Sequence, residues 1–108
     1  MQNPKILLLD EPTKHLDVKN KVKVLSVAKN LAVKDKIGVI MTVHDPNEAI
    51  MFSDVILLIN KGKIVDSVSP DKITEEKLRK IYDIPFKILR EGEIKAVLPV
   101  PEFTNNLH

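Results

Sequence analysis

The 108 residues suffice for one small domain, and 44% hydrophobic with 30% charged residues is the balance of a folded globular chain. A net charge of +2, from 17 Lys and Arg against 15 Asp and Glu, supports no basic nucleic-acid surface, and one Tyr with three Phe supply no base-stacking platform. The lack of cysteine excludes disulfides and thiolate zinc sites, and no apolar run approaches the roughly 20 residues of a spanning helix.

Ile6 to Leu9 is continuously apolar, which predicts a strand buried on both faces, as in parallel sheets. Asp17 is placed to cap a helix. Behind it Val18, Val22, Leu25, Ala28 and Ala32 recur at helical spacing, widened by Val24, Val27 and Leu31. Asp35-Lys36 closes that helix, and Ile37 to Val43 reads as a second apolar strand. Strand, helix and strand with short links form a βαβ unit, so the two strands should run parallel.

Asp45-Pro46-Asn47-Glu48 has the form of a helix start, with Pro in the first turn, and predicts a short helix from Pro46 to about Phe52. Val55 to Ile59 is a third apolar strand. Asn60-Lys61-Gly62-Lys63 offers a turn, and Ile64 to Val68 returns as its hairpin partner. Thr74 can cap a helix reaching Tyr82, with Leu78, Ile81 and Tyr82 facing inward. Phe86 to Leu89 and Ile94 to Leu98 form a last hairpin about Glu91-Gly92, before a tail that opens with Pro99 and Pro101. The N-terminal Met1-Gln2-Asn3-Pro4-Lys5 carries no charged-then-apolar signal pattern.

The chemistry concentrates where apolar strands end. Asp10 and Glu11 follow the first strand directly, and His44 follows the second. Ligands of open α/β sheets gather beyond the carboxyl ends of parallel strands. Two carboxylates there suit magnesium-dependent phosphoryl transfer, one serving the cation through its water shell and the other accepting a proton from an attacking water. His15, Asp17, His44 and Asp45 match no common zinc spacing, and no serine stands in a Gly-x-Ser-x-Gly context.

"ILLLDEPT" resembles the Walker B segment of ABC-type ATPases, "KHLD" the D-loop that follows it, and "TVHD" the switch-histidine segment. "SDVILLINKGKIV" is similar to the strand and hairpin beyond. The resemblance covers essentially residues 3–68, and the stretch "VDSVSPDKITEEKLRKIYDIPFKIL" resembles the end of ATPase subunits that drive uptake of iron–siderophore complexes, haem or vitamin B12. It implies that Asp10 serves Mg2+, that Glu11 is the general base, and that His44 is a catalytic contact to the γ-phosphate of ATP. Leu16 and Asp17 would face a second ATPase subunit across a dimer. Lys14 departs from the family, which usually has a small polar residue there.

The phosphate-cradling Gly-x-x-x-x-Gly-Lys-[Ser/Thr] is not found among these residues, whose only glycines are Gly38, Gly62 and Gly92. The paired glycines of the LSGGQ-like signature are not found either. The family places both upstream of Walker B. The chain therefore reads as the C-terminal part of an ABC transporter ATPase subunit. The fold expected is α/β, a partial P-loop NTPase (RecA-like) fold whose phosphate-loop strand is absent. A parallel sheet would carry a C-terminal antiparallel hairpin extension. Residues 1–68 would belong to the catalytic core, 69–98 to a helix-and-hairpin extension and 99–108 to a tail. Ile6 to Leu9 should pair with Ile37 to Thr42, and Val55 to Ile59 should lie across a strand this chain does not contain.

The partners implied are the N-terminal half of the ATPase domain, a second ATPase subunit and transmembrane permease subunits, with no nucleic acid. The location implied is cytoplasmic, peripheral to the inner face of the cell membrane through the permease. Two other readings share these motifs: a soluble ABC-type ATPase of translation or DNA repair, and a non-catalytic remnant that binds a partner.

Overall fold

The computed structural model describes residues 5–101, so the C-terminal part of the expected tail, 102–108, lies outside the described residues. The chain divides into two compact units, one up to Asp45 and one from Pro46 onward. Each has its own order of elements.

In the first unit, strand β1 (Ile6–Asp10) leads through a turn to helix α1 (Val18–Lys34) and then to strand β2 (Gly38–Thr42). β1 and β2 pair in parallel, with Ile6 opposite Gly38 and Asp10 opposite Thr42. This is the βαβ pairing that the apolar runs predict. Asp17 caps α1, its carboxylate accepting from the amide of Asn20 at 2.8 Å. Such a cap offsets one of the orphan donors at the helix start and contributes about 1 kcal/mol. Asp35 closes the helix, its amide donating to the Leu31 carbonyl, and Lys36 then turns the chain at φ 52°.

The expectation of burial on both faces of β1 is corrected. Ile6 is 65% exposed and Leu8 72%, and Ile40 on the paired strand is 55% exposed. Leu7 and Leu9 point the other way, toward α1. There they line an apolar groove of about 340 Å³ with Val24, Val27, Ala28 and Leu31. The reason is one of covering: α1 shields one face of the pair, and the alternate residues stay open. Within α1 itself only Leu25 and Ala28 are buried, while Val18, Val22 and Val27 remain exposed.

The second unit begins with helix α2 (Pro46–Phe52), followed by the hairpin β3 (Ile56–Asn60) and β4 (Lys63–Val68). The two-residue loop Lys61-Gly62 has positive φ at both positions, 52° and 77°, the geometry that matches strand twist in tight hairpins. A bulge between Leu58 and Ile59 shifts the register. A 3₁₀ turn over Pro70–Lys72, not foreseen from the sequence, precedes helix α3 (Glu75–Tyr82), and strands β5 (Phe86–Glu91) and β6 (Ile94–Pro99) form the last hairpin. Among the described residues β3 pairs with β4 and with no other strand.

This unit holds a continuous core. Ile50, Ile56, Leu58, Ile73, Leu78, Phe86 and Val97 are buried together, with Ile81 and Ile88 packed against them. Tyr82 is less buried than its place on the helix face predicts, at 39% exposure. Its ring lies 5.2 Å from that of Phe86 in a tilted pair. Two polar clasps fasten the layers. The Asn47 side chain donates to the Val97 carbonyl at 3.0 Å and accepts from the Val97 amide at 2.7 Å, tying α2 to β6. Lys95, buried at 8% exposure, donates to the carbonyls of Pro70 and Ile73 at 3.0 and 2.9 Å. Burial holds its ammonium below the usual lysine range.

Candidate functional site

All residues of the proposed chemistry lie in the first unit, around the carboxyl ends of β1 and β2. Parallel register puts Asp10 opposite Thr42 as the two strands finish. The Thr42 hydroxyl donates to Asp10 Oδ1 at 2.6 Å. The same hydroxyl oxygen accepts from the Glu11 amide at 2.8 Å, and that amide also reaches the Thr42 carbonyl at 3.2 Å.

Glu11 then turns the chain in the left-handed region, at φ 47°. For a residue with a Cβ this conformation costs about 1–2 kcal/mol, which the paired acceptors of Thr42 help to offset. The chain continues through a compact turn, Lys14 N–H donating to the Glu11 carbonyl at 3.1 Å and Leu16 N–H to the Thr13 carbonyl at 3.2 Å. Thr13 is buried, and His15 is a second left-handed residue, at φ 67°.

The Glu11 side chain faces an imidazole and an ammonium group. Its Oε1 meets His44 Nε2, and its Oε2 lies 3.8 Å from Lys14 Nζ. The structure thus brings Glu11 and His44 into contact and sets Asp10 beside them on the neighbouring backbone. Leu16 is half-buried in the turn, and the carboxylate of Asp17 is engaged as the cap of α1. Thr42 was not among the residues singled out from the sequence. The signal for it was present: a hydroxyl residue two positions before His44, opposite Asp10 once the strands are paired in register.

Among the described residues no three His, Asp or Glu side chains group as a metal cage. That is no obstacle to a hydrated cation. Mg2+ keeps most of its water and is held through one or two carboxylates together with substrate phosphates. Asp10 fits such an outer role, since Thr42 engages Oδ1 and Oδ2 has no part in that bond.

No family model matches the chain. Individual proteins do. It is 32% identical over 100 residues to an uncharacterised ABC transporter ATP-binding protein of Methanocaldococcus jannaschii, spanning 93% of this chain and 39% of that protein. This chain is homologous to ABC transporter ATP-binding proteins. The hemin import ATP-binding protein HmuV of Shewanella denitrificans is 43% identical over 84 residues, covering 75% of this chain and 33% of HmuV. The petrobactin import ATP-binding protein FpuC of Bacillus anthracis is 33% identical over 93 residues, covering 85% and 34%. The chain therefore spans only a third to two fifths of the length of these ABC relatives. The fold agrees: a chain of a metal-chelate type ABC transporter in an inward-facing conformation superposes with a TM-score of 0.81 at 28% identity, over 93% of this chain and 42% of that one. No helix among the described residues is long and apolar enough to cross a membrane.

Proposed function

We propose that this chain carries the hydrolytic carboxylates of an ABC importer ATPase subunit whose cargo is a metal chelate such as haem or a siderophore. The observation that carries the reading is the meeting of Glu11 with His44 at paired parallel strand ends, with Asp10 held alongside. Glu11 takes the proton from a water that attacks the γ-phosphorus of ATP, and ADP leaves. His44, two residues beyond the end of β2, contacts the terminal phosphate. Asp10 would hold Mg2+ through its water shell, and the cation would neutralise charge on the phosphates. The names of the hemin and petrobactin relatives support the class of cargo.

The phosphate-binding loop and the signature segment come, in this reading, from a polypeptide part outside these residues, which also completes a RecA-like sheet. Residues up to Val68 belong to the catalytic core, and the stretch from Ser69 to the end of β6 at Pro99 is an extension of it. Leu16 and Asp17 face a second ATPase subunit. Permease subunits hold the assembly at the inner face of the membrane.

The test joins the chain to the segment of the Shewanella hemin relative that bears the phosphate loop and signature. Without that segment the chain should not turn over ATP. The joined ATPase should hydrolyse it, and Glu11→Gln should lower turnover by roughly 100-fold or more while ATP stays bound. Turnover by the Glu11→Gln protein at the parental rate would show that Glu11 is not the base.

A further inference from the structure

The hydroxyl of Thr42 has a single proton and spends it on Asp10 Oδ1, at 2.6 Å. Its oxygen takes the Glu11 amide at 2.8 Å. One small side chain thus governs both carboxylates, one through its side-chain oxygen and the other through its backbone. Two residues further along the chain leaving β2, His44 meets Glu11 Oε1. Glu11 is therefore gripped at its amide by Thr42 and at its carboxylate by His44. Between those grips lies a backbone at φ 47°, a conformation that needs support from its neighbours.

We propose that Thr42 is the positioning residue of the Asp10–Glu11 pair. Its hydroxyl selects the rotamer of Asp10, leaving Oδ2 for the cation's water shell, and fixes the left-handed turn that aims Glu11 toward His44. The proposal deepens the ATPase reading above and rests on it for its consequence in turnover. The geometry of the grip stands independently of that reading. Valine is the instructive replacement. It keeps the β-branched shape and the strand, and it keeps the main-chain bond from the Glu11 amide to the carbonyl at position 42, but it loses both hydroxyl bonds. Serine keeps the hydroxyl.

Two measurements test it. The first is amide hydrogen exchange in the 108-residue chain, read residue by residue by mass spectrometry with electron-transfer fragmentation at concentrations below those of self-association. Thr42→Val should speed exchange at Glu11 roughly fivefold or more and leave Leu25 and Ala28 in α1 unchanged, and Thr42→Ser should restore the parental rate. Unchanged exchange at Glu11 in Thr42→Val, or an equal rise throughout the first unit, would overturn the proposal. The second is the Mg2+ concentration for half-maximal turnover in the joined ATPase. It should rise roughly fivefold or more in Thr42→Val and stay within about twofold in Thr42→Ser, a pattern that mere loss of folded protein would not produce. An unshifted Mg2+ dependence in Thr42→Val, or equal impairment by serine, would overturn the positioning role. If the parental joined protein shows no turnover, the ATPase reading fails, and the exchange measurement alone then decides whether Thr42 holds the pair.

Discussion

His44 touches Glu11 in the structure, and on the proposed function it exchanges that contact for one with the terminal phosphate. His44→Ala in the joined ATPase should therefore reduce turnover at saturating ATP by roughly 10-fold or more with ATP affinity nearly unchanged. Binding lost with turnover retained would assign the histidine a different part. A second prediction concerns Asp66, whose carboxyl lies below its ordinary value of 3.8, first through the hydrogen bond from the Lys77 ammonium and then through its bond from the Ser67 amide. A depressed carboxyl contributes stability above its unfolded value, and that contribution is lost as pH falls through the folded one. Lys77→Met should lower the melting temperature at about pH 7, and the difference from the parent should close toward about pH 2. A difference that persists undiminished in acid would place the effect in packing instead. Residues of this size were unevenly legible in the sequence. Asp10, Glu11 and His44 stood out because charge at the end of an apolar strand is conspicuous. Thr42 did not, because threonine is an ordinary strand residue and its importance depends on which residue the register sets opposite.

The helices and strands were legible nearly to their ends, because capping and turn residues mark boundaries locally. Asp17, Thr74 and Gly62 each act as their types dictate, Thr74 accepting from the Lys77 amide at 3.2 Å. The Pro70–Lys72 turn and the buried Lys95 escaped notice, since a lysine in a hairpin reads as solvated until acceptors are found around it. The joint between α2 and β6 was equally hidden, and it gives the prediction at this scale. Asn47 satisfies both main-chain groups of Val97, much as a strand partner would. Asn47→Ala removes both bonds in a half-buried place and should cost about 1–3 kcal/mol by denaturant titration. Asn47→Asp keeps the acceptor but sets its second carboxylate oxygen against the Val97 carbonyl, so at about pH 7 it should be no milder than alanine. If alanine has no effect, the Ile50–Val97 packing alone holds the helix.

At the scale of the molecule, the first unit carries its apolar residues on too many sides for its own size. Ile6, Leu8 and Ile40 are open on one face of the sheet, and the groove lined by Leu7 and Leu9 is open on the other. The chain on its own should self-associate at micromolar concentration, since unpaired strand edges and bare apolar faces attract like surfaces. Leu8→Lys with Ile40→Glu should shift sedimentation toward the monomer. A parental chain that is monomeric throughout would contradict this. The sequence could not show the open faces, because an apolar run reports what a strand is suited to touch and not whether the covering layer is supplied.

The wiring of the three sheets also bears on the order in which the chain acquires structure. β3–β4 and β5–β6 join neighbours across two-residue loops, and such closures take microseconds. The bond between Thr42 and Asp10 spans 32 positions, with the whole of α1 between its ends. Contacts of long sequence separation are entropically late. The two hairpins should therefore form before the parallel pair during refolding, although the pair contains the earliest-synthesised residues described. The carboxylate site exists only once that pair has closed, so a half-made first unit holds Asp10 and Glu11 without the partners that orient them.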